Sequence, residues 1–273
     1  MRHPRFLGSA AAASLCAAAG TAAAGVITQP TLFGVDLDTD ELVTIDPITG
    51  EATSIGPTGF DQIAGLTFDP SSGTLYAVDN ETDALVTIDP TTGAGTSLGP
   101  TGKSIIRGLT FDANTGTLFG LNLLFDTSGS AEDELVTIDP STGAATAVGF
   151  SGLPGFDRLG SLAFDPTSGT LFGVDSSTDE LVTIDPATGA ATSVGSTGFD
   201  VVGGLSFDPI KNTLFGVDSV TNELVTIDPA TGVGTAVGPT LSPNIQGLAF
   251  AVPTPGAAAV LGLGGLIATR RRR

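Results

Sequence analysis

A seven-residue segment, Glu41-Leu-Val-Thr-Ile-Asp-Pro47, returns almost unchanged from Leu85, Leu135, Leu181 and Leu224, with Ala84 replacing the leading Glu in the second copy. A fixed period constrains a fold more tightly than local propensity does, because each unit must pack against a copy of itself. The leading leucines stand 43, 50, 46 and 43 residues apart, the spacing of a four-stranded propeller blade.

Three further segments cycle with this one between residues 31 and 250. Segment A is Gly65-Leu-Thr-Phe-Asp69, with relatives from Gly108, Ser161, Gly204 and Gly247. Segment B is Leu32-Phe-Gly-Val-Asp36, with relatives from Leu75, Leu118, Leu171 and Leu214. The repeated heptapeptide is C, and D is Ala52-Thr-Ser-Ile-Gly56, with relatives from Gly95, Ala145, Ala191 and Ala236. All four are short and rich in Val, Ile, Leu, Phe and Thr, which suit a half-buried pleated surface. Between C and D stands Asp46-Pro-Ile-Thr-Gly50, and Asp69-Pro-Ser-Ser-Gly73 plays the same part between A and B. In such turns Asp accepts backbone hydrogen bonds, Pro presets φ and Gly takes the left-handed position. The longer spacings are expected to fall in loops, at residues 122–133 between B and C and at residues 149–161 in a D to A crossover.

The cycle starts on B, at Leu32, and ends on A, at Gly247-Leu-Ala-Phe250. A final A strand pairing with the first blade would close a ring and remove an open sheet edge. The expectation is an all-β, five-bladed β-propeller of four-stranded blades over residues 25–251. Over these residues the chain resembles the WD40-like, YVTN-type and quinoprotein-like propellers broadly, without the diagnostic motif of any one.

The two ends read differently from the repeat. Residues 1–24 join a basic start, an apolar run and Ala22-Ala-Ala24, the pattern of a secretory signal peptide. Cys16 and His3 both lie inside it, so the remainder has neither Cys nor His, and the chain has no Trp. Residues 252–273 contain Pro253, Thr254 and Pro255, a 13-residue apolar run, and Arg270, Arg271, Arg272 and Arg273. The run is shorter than the ~20 residues of a comfortable membrane span. This tail resembles the PEP-CTERM sorting signal, with Thr254 where that family has Glu. The resemblance implies an exosortase-type membrane enzyme as partner, and a surface or matrix destination near exopolysaccharide or surface proteins in a Gram-negative-type bacterium. It implies membrane contact only through this tail before processing.

Between the ends, 29 acidic residues face four basic ones, a net charge of −25. Nucleic acid is therefore not an expected partner, since polyanion binding needs Lys and Arg to displace counterions. Thirteen of the 22 Asp stand at hairpin turns or at the ends of B segments, so much of the acidity follows from turn chemistry.

Asp36, Asp38 and Asp40 are spaced as in the first part of an EF-hand loop, and oxygen ligands at that spacing suit calcium. The Gly and bidentate Glu that complete such a loop are missing. No cofactor is required, and calcium is the ion the spacing suggests. The least repetitive residues stand in or beside the D to A crossovers: Asp61, Gln62, Lys103, Arg107, Asp157, Arg158, Asp200, Asn244 and Gln246. With A innermost, they are expected to ring the mouth of a central channel and bind a ligand. A competing account is that the basic members only relieve repulsion among carboxylates.

Without His or Cys there is no Ser-His or Cys-His nucleophile and no imidazole or thiolate metal site. No catalytic residue is assigned. The expected function is a non-catalytic binding or structural module at the cell surface or in extracellular matrix. The alternative is a carboxylate- or calcium-dependent, lactonase-like hydrolase at the channel mouth, with Asp61 and Asp157 as acid and base.

Overall fold

A computed structural model describes residues 27, 29–125, 131–150, 158–242 and 244–253. Residues 1–24, expected to be a signal peptide, lie outside these residues, as do Asp157, Thr254, Pro255, the apolar run of the tail and its four arginines. Twenty strands fill the described chain, and they follow the four-segment cycle. The A strands are β4 (Ile63–Asp69), β8 (Ile106–Asp112), β12 (Leu159–Asp165), β16 (Val202–Asp208) and β20 (Ile245–Ala251). The B strands are β1 (Thr31–Asp36), β5 (Thr74–Asp79), β9 (Thr117–Phe125), β13 (Thr170–Asp175) and β17 (Thr213–Asp218). The C strands are β2 (Glu41–Ile45), β6 (Ala84–Ile88), β10 (Ala131–Ile138), β14 (Glu180–Ile184) and β18 (Glu223–Ile227). The D strands are β3 (Ala52–Pro57), β7 (Gly95–Pro100), β11 (Ala145–Phe150), β15 (Ala191–Ser196) and β19 (Gly234–Pro239).

These make five antiparallel sheets of four strands, a five-bladed β-propeller. The first blade has the order β20-β1-β2-β3, with Thr31 opposite Ala251 and Leu32 opposite Phe250, so the final strand closes the ring as its sequence requires. The A strands form the inner wall: β4 packs on β8, β8 on β12, β12 on β16, β16 on β20 and β20 on β4. Burial falls outward, from B strands such as Thr31–Asp36, almost wholly buried, to the mostly exposed D strands.

Five hydrophobic clusters hold the ring, each shared by two neighbouring blades. Leu42, Leu85, Leu181 and Leu224, the second residues of four of the C strands, are fully buried in them. Each such side chain contributes roughly 1.5–3 kcal/mol of transfer free energy. The heptapeptide is thus conserved within the chain by packing.

Three details differ from the sequence expectation. The last D strand begins at Gly234, two residues before Ala236. The extra B to C residues of the third blade continue the ladder, with Leu123 opposite Asp133 and Phe125 opposite Ala131. Asn122-Leu-Leu-Phe125 has no Pro or Gly to stop the strand. Thirdly, the C to D turns are not free on the face of the A to B turns. Strand twist accumulates across a blade, and each C to D turn meets the end of the preceding blade's D strand. A Cβ on Gly50 (φ +85°) would lie 2.4 Å from the Gly238 carbonyl oxygen, and one on Gly238 would lie 2.3 Å from that of Thr49. Equivalent contacts join Gly93 to Gly56, Gly143 to Gly99, Gly189 to Gly149 and Gly232 to Gly195.

A buried Thr rivets the same seams. Thr58 donates its N–H to the Asp40 carbonyl at 2.8 Å, and its own carbonyl accepts the Gly95 N–H of the next blade at 2.9 Å. Thr101, Thr197 and Thr240 do the same for Ala145, Gly234 and Ala52.

Candidate functional site

The face carrying B to C turns and D to A crossovers is built by short carboxylate caps. Asp36, Asp79, Asp175 and Asp218 end their B strands and are 0–5 % exposed. Each accepts N–H or O–H groups from the next two or three residues: Asp36 Oδ1 takes the Asp38 N–H at 2.9 Å, and Asp218 Oδ2 takes the Thr221 hydroxyl at 2.7 Å. Such caps satisfy turn donors that would otherwise be orphaned. Asp40, Asp83, Asp179 and Asn222 then turn the chain with φ of 53–58°.

The three carboxylates expected to bind calcium do not converge. Among the described residues no group of three or more His, Cys, Asp or Glu side chains is arranged to hold a metal ion. Asp36 is engaged by its own turn, and Asp38 Oδ1 accepts the Asn244 side-chain amide at 3.1 Å. The EF-hand spacing is met in the sequence, but the tight hairpin turns Asp36 to the backbone and Asp38 to Asn244 and leaves Asp40 Oδ1 buried without a partner.

The crossover residues stand at several positions just before or at the start of their A strands. The carbonyls of Gln62, Arg158, Val201 and Asn244 accept the N–H that follows their B strand at 2.8–3.1 Å, and that of Ile105 accepts the Leu123 N–H within the longer β9 at 2.9 Å. This ties every crossover to its own blade. Asp61 and Gln62 are exposed. Lys103 pairs with Glu134 Oε2 at 2.7 Å, and the Asn122 amide donates to the same oxygen at 3.0 Å. Glu134 is 5 % exposed, so this ion pair neutralises a buried carboxylate. Arg158 is exposed, and its N–H donates to Asp175 Oδ2 at 3.2 Å. Asp200 stands near Asp179, whose carboxyl is pushed above its usual range by burial and then by the charges of Asp200 and Asp175. Arg107 occupies a β-bulge, the unpaired place between Ile106 and Gly108, where a ladder can re-aim a side chain. Of the eight described candidates it is the one that lines the narrow axial space, beside Gly108 and Leu109. Half-buried Gln246 holds the equivalent place on β20. Asp157 lies outside the described residues.

That axial space is only about 10 Å³, because the A strands nearly touch. A Cβ on Gly108 would lie 2.8 Å from the Leu162 nitrogen, and one on Gly65 2.8 Å from the Leu109 Cβ.

The larger cavity opens on the opposite face, inside the ring of A to B turns. It measures about 120 Å³ and is lined by Phe68, Phe111, Phe164, Phe207 and Phe250, one from each A strand. Thr67, Thr110 and Ser206 add hydroxyls, and Pro70, Ala113, Pro166, Pro209 and Val252 form the rim. Each Phe also belongs to a seam: Phe207 stacks on Phe172 of the preceding blade at 6.4 Å, and Phe250 on Phe215 at 5.9 Å. The turn carboxylates beside it are engaged locally. Asp69 Oδ1 accepts the Ser71 N–H at 2.7 Å, and Oδ2 the Ser72 hydroxyl at 2.6 Å. Sequence reasoning assigned this face to turn formation alone and missed the cavity. The available signal was a Phe at the same place in all five A segments.

Solved structures share the architecture. A chain of the crystal structure of a nidogen/laminin complex superposes with a TM-score of 0.59 at 18% identity, covering 82% of this chain and 82% of that one. A gluconolactonase from Xanthomonas campestris gives 0.52 at 16% identity, covering 78% and 76%. At these identities the likeness extends to the fold. No curated protein matches the chain. Residues 65–208 and 108–261 match a family model described as a repeat of unknown function, DUF6923.

Proposed function

The chain belongs to the DUF6923 repeat family, and we propose that it is an exported, surface-sorted β-propeller acting as a non-catalytic binding or structural module. The observation that carries this reading is that the larger axial cavity has no titratable side chain in its lining. Such a cavity can bind, but its lining offers no acid or base to activate the Thr67, Thr110 or Ser206 hydroxyls. On the other face the B-strand carboxylates are held in turns, and Lys103 is held by Glu134. Structural neighbours of both kinds, nidogen/laminin and gluconolactonase, give the fold, so the choice rests on the site.

The tail supports the destination through its Pro-x-Pro, apolar run and arginine cluster. The ring closes at Thr31 and Ala251, so removal of residues 1–24 and of the tail leaves every blade complete. Surface exopolysaccharide is the partner class this reading favours, met at the exposed Arg158 and at Arg107.

A glycan and polysaccharide array probed with the full chain is expected to show binding that weakens in Arg107→Ala with Arg158→Ala. Panels of lactones, esters and glycosides are expected to show no turnover. Turnover that disappears in Asp61→Asn or Asp200→Asn would overturn the non-catalytic reading. For the tail, replacing Arg270, Arg271, Arg272 and Arg273 by Ala is expected to retain an unprocessed precursor, seen by intact mass; unchanged processing would refute the sorting role.

A further inference from the structure

We propose that the Phe-lined funnel on the A to B turn face binds a small, uncharged aromatic molecule of about one ring that carries a single hydroxyl or similar polar group. This deepens the binding reading above and rests on it.

Size and lining come first. A closed apolar cavity of ~150 Å³ takes up benzene, and this one measures about 120 Å³ and is open at one end. Five Phe side chains, three Pro, Ala113 and Val252 supply most of its wall. The axial space behind it is almost shut by the close approach of the A strands, so the funnel is blind. An ion entering it would give up water for hydrocarbon without a counter-charge. Of the turn carboxylates nearby, Asp165 is occupied by its own turn, with Oδ1 accepting the Thr167 N–H at 2.8 Å and Oδ2 the Ser168 hydroxyl at 2.5 Å; Asp208 Oδ2 is without a partner but is fully buried outside the lining. A neutral ligand fits this setting.

The polar groups are few and placed unevenly. Thr67 and Thr110 lie on adjacent strands, are 7% and 6% exposed, and their hydroxyls have no hydrogen-bond partner among the described residues. Ser206 Oγ accepts the Phe250 N–H at 2.7 Å, which leaves its own hydrogen to donate. The equivalent residues of the other two strands are Ala163 and Ala249. Neither hydroxyl oxygen is sealed from the open funnel, so both are free to bond a ligand's polar group on this side of it. The two alanines leave the other side of the funnel to its apolar edge.

The test titrates phenol, toluene and benzoate into the full chain, read by calorimetry and by Phe-ring NMR shifts. Saturable binding of phenol, weaker binding of toluene and none of benzoate is expected. Thr67→Val with Thr110→Val keeps the shape and removes the hydroxyls; it is expected to lower phenol affinity about ten-fold while leaving toluene unchanged. Ala113→Trp, at the exposed rim, is expected to block both, with circular dichroism reporting an intact fold. Absence of saturable binding by phenol and toluene, or binding unaffected by the Trp at residue 113, overturns the site. Equal loss of phenol and toluene in the folded double Val variant overturns the role of the hydroxyls. If polysaccharide binding persists while both aromatics fail, only this inference falls; if aromatics bind and polysaccharide does not, the exopolysaccharide partner falls instead.

Discussion

At the scale of single residues, most of the acidity is spent on making turns. Hydrogen bonds from Thr91 hold Asp89 below its ordinary carboxylate range, and those from Ser141 do the same for Asp139. A depressed folded value means that the stabilisation is present above the unfolded pKa of ~3.9 and is lost as pH falls through the folded one. Asp179 behaves oppositely. Its raised value means that ionisation works against the fold, with a penalty absent below ~3.9 that grows as pH rises through the folded value. Asp179→Asn is therefore expected to raise stability at pH 7 by less than about 1 kcal/mol, with the gain vanishing near pH 3 in thermal melts. Asn also tolerates the φ of 58° at this position, and Asn222 already stands at the equivalent one. Leu241 offers a second case. It has φ 60° and 71% exposure where Gly59, Gly102 and Gly198 stand in other blades. Leu241→Gly trades a left-handed strain of ~1–2 kcal/mol against ~0.5–1 kcal/mol of chain entropy. A small rise in Tm is expected, and a fall would refute the strain assignment.

At the scale of elements, turns that look alike in sequence carry different loads. Gly73 and Gly93 both have positive φ, at +74° and +80°, yet a Cβ on Gly73 meets nothing within 4 Å, whereas one on Gly93 would sit 2.3 Å from the Gly56 carbonyl oxygen. Gly73→Ala is expected to cost ~1–2 kcal/mol from backbone strain alone. Gly93→Ala must also part a blade seam, so denaturant melts should place it clearly below Gly73→Ala; equal losses would mean that the seam yields freely. The Asp-Pro-x-Thr-Gly signature was legible as a hairpin because every part of it acts within five residues. Its second duty, packing on the neighbouring D strand, was illegible because it depends on the twist accumulated across a whole blade. The third blade shows the same limit: its extra residues read as loop by spacing, yet Leu123 and Leu124 extend the ladder.

At the scale of the whole molecule, closure depends on β20. It pairs with β1 and completes the inner wall against β4 and β16. Deleting residues 244–251 removes Leu248 and Ala249 from the core and opens the edge of β1 to other chains. Loss of the cooperative melt or conversion to oligomers on size exclusion is expected. A monomer melting like the full chain would disprove the closure.

The blade count, the strand order and the permuted ends were all determined by the sequence, because the period, the turn residues and the leftover A segment are local facts. Convergence was decided only by the tertiary structure. Gln62, Arg158 and Asn244 occupy equivalent places but do not meet, since the carbonyl of each pins its crossover to its own blade. The five Phe residues, 43 to 53 positions apart in the chain, meet around one cavity because the A strands approach closely enough to bring them to a common axis. That radius is set by contacts between blades, such as the one Gly108 permits with Leu162, and no single repeat encodes it.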